Sequence, residues 1–272
     1  LLGTVPLKRL VVAAADSSLS HITSRDPIVV HTGADQEEIA QLFTEYGLVA
    51  LPVVDGDDRL VGRVTFDDAV DVIREEATED IYEMAALVSE AFERSSVLGA
   101  IRGRLPWLLV CLVGTLLSGA VIDAFSESLT GMGILFVFVP AIMAMGGNAG
   151  IQTSTVTVRG LPTGNLRPAD AGLSLLREFR IATGVGKLIA VLVFAVAYLW
   201  SGSLVVAACV GLAMVSAIVL SALMGAVIPL MFRRLGIDAA VASGPLITTL
   251  NDAVSLFIYF SIAVALAHRW GA

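Results

Sequence analysis

Asp252 stands inside an apolar run, Leu246 to Ala267, that is long enough to cross a bilayer as a helix. A carboxylate at membrane depth is costly unless it faces water, a partner or a cation. The alternatives are snorkelling to the interface or pairing with a buried Arg. Basic residues gather at the ends of the apolar runs, which weighs against pairing. Helical spacing puts Thr248, Asp252, Ser255 and Tyr259 on one face. A second anomaly lies in the run from Gly133 to Val158. There Gly146-Gly147-Asn148-Ala149-Gly150 is followed by Gln152, Thr153, Ser154, Thr155 and Thr157. Glycines weaken a helix, and Pro140 loosens it further, so a break with exposed carbonyls is expected; a packing kink is the alternative. Oxygen-rich, uncharged backbone beside one carboxylate suits a hard cation better than an organic substrate. Asp252, Asn148, Gly147, Thr248 and Thr249 are the candidate pore residues. A small, hard cation gives up its water reluctantly, and one carboxylate is thin for it. A homodimer that brings two Asp252 residues together across a two-fold axis is therefore expected.

The elements that must position these residues follow from composition. Of 272 residues 56% are hydrophobic and 15% charged, and the apolar excess falls after residue 104. Up to Arg94 there are 19 acidic and 7 basic residues; beyond it there are 6 and 10. Five runs read as spans: Leu105 to Ile122, Gly133 to Val158, Ile181 to Trp200, Leu204 to Phe232 and Leu246 to Ala267. Lys and Arg precede the first span, surround the second connection and follow the fourth span. The loops Asp123 to Thr130 and Ser201 to Ser203 carry none. The expected orientation is thus an N-terminus in the cytoplasm and a C-terminus outside, in a multi-pass protein of the plasma membrane. Trp107, Trp200 and Trp270 suit the headgroup region, and Gly211, Ser216, Ser221 and Gly225 suit close helix packing. Cys111 and Cys209 read as packing residues. Val11 to Ala15 is too short for a signal peptide, and a chain that begins at Leu1 without Met is expected to be a piece of a longer one.

Ahead of the spans, residues 28 to 74 read as strand, helix, strand, strand, helix. Asp35-Gln36-Glu37-Glu38 opens a helix, Asp55-Gly56-Asp57-Asp58 turns a hairpin between Ala50 to Val54 and Leu60 to Val64, and Thr65 with Asp68 forms a capping box. From Asp67 the acids become dense: Asp68, Asp71 and Glu75 share one helical face, and Glu76, Glu79, Asp80 and Glu83 another. Such faces are relieved by cations or basic partners, or are simply solvated. An acidic front half argues against nucleic acid. The fold class expected is a five-helix polytopic membrane domain with an N-terminal α/β segment.

Val53-Val54-Asp55, Leu60-Val61-Gly62-Arg63-Val64-Thr65 and Asp68 resemble a CBS domain. The resemblance implies that Thr65 and Asp68 are candidates to hold the ribose of ATP or another adenine nucleotide, the alternative being that they only cap a helix. Residues 3 to 22 look like the end of a preceding CBS copy. Together with the Pro140 to Gly160 and Pro245 to Asp252 stretches and Glu76-Ala77-Thr78-Glu79-Asp80-Ile81, the chain resembles the MgtE-type magnesium channels. That resemblance implies a homodimer with a central pore, Mg²⁺ as cargo and regulator, Asp252 as pore carboxylate, and Glu37, Asp68, Asp71, Glu76, Glu79 and Asp80 as regulatory acids. It further implies a plug helix after Asp80, and an acidic domain and first CBS copy missing in front. Gly47 stands where the family often has Asp. The expected division is a CBS remnant at 1–22, a CBS domain at 23–77, a connecting helix at 78–104 and a pore domain at 105–272. A nucleotide-sensing regulator without a pore and a proton-coupled transporter are the rival readings. His21, His31 and His268 are scattered and no nucleophile and base fall together, so an enzyme is not expected.

Overall fold

A computed structural model describes residues 1–85, 96–161, 171–240 and 244–270, without the side chains of residues 80 and 83. It divides into two units, Leu1–Thr78 and Glu79–Ala272.

In the first unit, helices α1 (Leu7–Val12) and α2 (Leu19–Ile22) precede strand β1 (Val30–His31) and helix α3 (Gln36–Tyr46). Asp35 caps α3 by accepting from the Glu37 N–H at 2.9 Å. Gly47 ends the helix at φ 60, a left-handed turn that only glycine adopts without strain. Strands β2 (Ala50–Val54) and β3 (Leu60–Thr65) form the expected hairpin. Asp55 Oδ1 holds its turn by accepting from the N–H groups of Asp57 and Arg59. The sheet order is β1-β2-β3, with β1 parallel and β3 antiparallel to β2. Val30, Phe43, Leu51 and Ala69 form the core beneath the sheet.

Helix α4 (Phe66–Met84) starts at the Thr65 cap and runs without interruption past Thr78, where the sequence suggested a new helix. Asp68 Oδ2 accepts from the Thr65 hydroxyl and from its N–H at 3.0 Å. These bonds favour the ionised carboxyl and hold the Asp68 pKa below its ordinary value of 3.8. A lowered folded-state pKa stabilises the fold above the unfolded carboxylate's pKa, and this contribution fades as pH falls through the folded value. The first unit is therefore expected to lose thermal stability below about pH 4, and Asp68→Asn is expected to flatten that acid limb. Melting curves from pH 7 to pH 3 read both.

The second unit holds the five spans: α5 (Val97–Ser126), a 3₁₀ turn (Gly133–Phe138) leading into α6 (Val139–Gly160), α7 (Ala171–Ser201), α8 (Leu204–Arg234) and α9 (Pro245–Trp270). All five expected runs are helices long and apolar enough to cross a membrane. The first is longer than expected, because α5 begins at the Ser96 cap and passes through Pro106 without a break. Helix α8 is the most buried of the five and packs against α6, α7 and α9. Its small residues explain this: Gly211 lies against Phe194 of α7, and Gly225 lies on the backbone of Gly150. Ser216 bonds back to Leu212 of its own helix instead.

The expected helix break at Gly146–Gly150 is absent, since α6 is regular from Val139 to Gly160. Pro140 sits in the first turn, where its missing N–H costs nothing. The glycines serve close approach. A Cβ on Gly146 would meet Ser255 and Ser221 hydroxyls at 3.0 and 3.1 Å, and one on Gly150 would meet the Asn251 amide and Ile247. Tyr259, fully buried, donates its hydroxyl to the Leu135 carbonyl at 2.8 Å and ties α9 to the 3₁₀ turn. Tyr259→Phe is expected to cost about 1 kcal/mol, read as a lower melting temperature in detergent.

Candidate functional site

Three polar residues of α6 lie exposed along a stripe: Asn148, Gln152 and Thr155, at i, i+4 and i+7. Thr153, Ser154 and Thr157, which the sequence left in one polar stretch with them, are buried against the bundle. The helix thus turns one polar face inward and another outward. In hydrocarbon an amide-bearing outward face has no partner, so water or protein must cover it.

Helix α9, which carries Asp252, packs against α6. Thr248 Cγ2 lies 3.6 Å from where a Cβ on Gly147 would stand, which sets α9 beside the α6 glycines. Thr249 is turned the other way, against Gly114 of α5. On the helical wheel Asp252 falls between these two directions, and it is half-buried. Its carboxylate therefore occupies the side of α9 that lies between α5 and α6. The Thr248 hydroxyl donates to the carbonyls of Pro245 and Gly244 at 3.0 and 3.3 Å. Gly147 is buried and Asn148 is exposed. Of the four residues expected on one stripe of α9, Thr248 and Asp252 are half-buried, whereas Ser255 and Tyr259 are turned into the bundle core. The stripe is two residues long.

Sequence reasoning passed over Glu178. Thr153, buried on α6, donates to Glu178 Oε2 on α7 at 3.4 Å. The available signal was a lone acid among Arg177, Arg180 and Lys187. Asn251 was also passed over; it is 1% exposed, and its neighbour Asp252 drew the attention.

In the acidic segment, Asp68, Asp71 and Glu79 are exposed and Glu37 and Glu76 half-buried. Gln36 Nε2 donates to Glu76 Oε1 at 2.5 Å, joining the start of α3 to α4. The Asp80 side chain lies outside the described residues. Among the described residues no three His, Cys, Asp or Glu side chains gather as metal ligands. Thr65 and Asp68 are bonded to each other, which is the capping arrangement. Within the second unit, the Met84 carbonyl at the end of α4 abuts Gly244, the residue before α9.

Five apolar helices, one of them with an outward polar face, define a multi-pass helical membrane protein with an α/β segment in front. Residues 139–262 match the MgtE family of divalent cation transporters, and residues 5–75 match the CBS domain, taking in most of the segment read from sequence as a remnant. The chain is 35% identical over 98% of its length to the magnesium transporter MgtE of Bacillus subtilis. It is 36% identical over 97% to that of Enterococcus faecalis and 33% over 96% to that of Thermus thermophilus. It covers 59%, 58% and 58% of those proteins, a little over half of their length. The chain thus holds an MgtE-type membrane domain behind a CBS domain. Its named relatives are transporters, a non-enzymatic class.

Proposed function

We propose that this chain conducts divalent cations, Mg²⁺ foremost, into the cytoplasm through a pore that two copies form together. The observation that carries the reading is the outward polar face of α6, Asn148, Gln152 and Thr155, beside the half-buried Asp252. Facing lipid, that stripe would leave an amide pair without partners. Facing its symmetry mate across a two-fold axis, it lines a wet path with two Asp252 carboxylates. Amide and hydroxyl oxygens with a pair of carboxylates suit a hydrated Mg²⁺, recognised through its water shell. Asn148 and Thr248 are the uncharged groups given a share of that work, and Gly147 lets α9 approach. Thr249, turned to α5, contributes packing.

Regulation belongs to the same reading. Glu37, Asp68, Asp71, Glu76, Glu79 and Asp80 form a weak, solvent-accessible set of acids that millimolar cytoplasmic Mg²⁺ would bridge between domains or copies. The end of α4 lies against Gly244, so strain among these acids has a direct route to the first turn of α9. An adenine nucleotide at Thr65 and Asp68 would have to share the hydroxyl that now caps α4. The N-terminus is cytoplasmic by the charge of the loops.

The test is Mg²⁺ influx into liposomes that carry the purified chain, followed with an internal Mg²⁺ dye. Influx down a Mg²⁺ gradient, without a pH gradient, supports a channel. Influx that requires a pH gradient makes it a proton-coupled transporter, and absence of flux in every condition overturns the pore.

A further inference from the structure

Three helices of the second unit meet through matched rows of residues one turn apart. Helix α6 contributes Gly146, Gly150 and Ser154; α8 contributes Ser221 and Gly225; α9 contributes Ile247, Asn251 and Ser255. The rows interlock closely. The Ser221 and Ser255 hydroxyls flank Gly146 at 3.1 and 3.0 Å from where its Cβ would stand, and the Asn251 amide nitrogen and the Ser221 carbonyl converge on Gly150. Asn251 is 1% exposed, Ser221 1% and Ser154 0%. Yet Asn251 Nδ2, Asn251 Oδ1, Ser221 Oγ and Ser154 Oγ have no hydrogen-bond partner.

Buried polar atoms are nearly always bonded, and each one left alone costs about 1–3 kcal/mol. Four in one seam, contributed by three helices, call for a shared partner, and the glycines let the three helices close around them. We infer that this seam holds ordered water inside each copy of the bundle, bonded along its length to Asn251, Ser221 and Ser154. The chemistry selects water over the cation that Asp252 serves. An amide that presents N–H groups beside hydroxyls offers both donors and acceptors and carries no charge to balance a dication. The close spacing at Gly146 and Gly150 leaves no room for an organic ligand. A buried water makes about three hydrogen bonds, which the side-chain amide and hydroxyls supply together with backbone carbonyls such as that of Ser221. Asn251 adjoins Asp252 in sequence, so this water lies within the bundle on a neighbouring side of α9, apart from the proposed pore.

X-ray radiolysis tests the assignment without reference to flux. Short exposures turn bound water into hydroxyl radicals, which oxidise only the side chains next to it. Ile247, fully buried against Gly150, is the reporter; Leu256 and Ile142, equally buried, are the internal controls. In the purified full chain, Ile247 is expected to be oxidised at least several-fold faster than both controls, and Asn251→Leu is expected to bring it down to their rate. Ser221→Ala, a smaller deletion, gives the same reading if Asn251→Leu does not assemble. Ile247 labelled no faster than Leu256 and Ile142 overturns the site, and so does labelling that persists unchanged in both variants.

Discussion

Asp252→Asn is expected to cut Mg²⁺ influx at least tenfold while the chain still folds. The substitution keeps the shape of the side chain and removes its charge, so it isolates electrostatics from packing. Asp252 is half-buried between α5 and α6, where the low dielectric strengthens its field on a passing dication. A tenfold loss corresponds to only ~1.4 kcal/mol, well below what a carboxylate offers a divalent ion even through a layer of water. The measurement is initial Mg²⁺ influx into liposomes at matched protein content, with the melting temperature followed alongside. Asn148→Ala supplies the comparison: it removes an uncharged ligand from the same face, so its loss is expected to be smaller. Undiminished flux in Asp252→Asn would sink the role given to this residue, whatever the fate of the pore as a whole.

How far the sequence reached depended on which physical signal was being read. Hydrophobic length located all five spans, and local chemistry located the Asp35 cap, the Asp55 turn and the Thr65–Asp68 box, because each is settled within a few residues. Gly146 to Gly150 was misread for the converse reason. Helix propensity argues for a break, but what decides is the approach of Ser221, Asn251 and Ser255 from helices about 70 to 110 residues away in sequence. Periodicity alone could have split the polar stretch of α6 into Asn148, Gln152 and Thr155 on one side and Ser154 and Thr157 on the other, though not which side faces the bundle. Likewise, Thr248 and Asp252 could be placed on one face with Ser255 and Tyr259, yet the packing of α9 on α8 and the 3₁₀ turn withdraws the last two. Asp252 stood out because charge in an apolar run is conspicuous; Asn251 did not, because its significance comes from burial without a partner.

Gly225→Ala is expected to destabilise the bundle by about 1–3 kcal/mol, at the upper end of that range, against the usual sign of the substitution. In a helix interior alanine outranks glycine by about 1 kcal/mol, since it orders the backbone and removes little else. Gly184, on α7, has nothing within 4 Å of where a Cβ would stand, so Gly184→Ala is expected to be neutral or stabilising. At Gly225 the new methyl would fall on the Gly150 carbonyl oxygen, with the carbonyl carbon at 3.1 Å and Cα at 3.2 Å. A flexible side chain could swing aside, but backbone cannot, so α6 and α8 must part. Their separation loosens the same turn of α6 that receives Asn251 and Ile247 from α9, so the damage spreads to the helix that carries Asp252. Melting of the two variants, followed by the loss of the monodisperse peak in size-exclusion chromatography, reads the difference directly. Gly225→Ala melting at or above Gly184→Ala would mean that α6 and α8 do not meet at these two glycines.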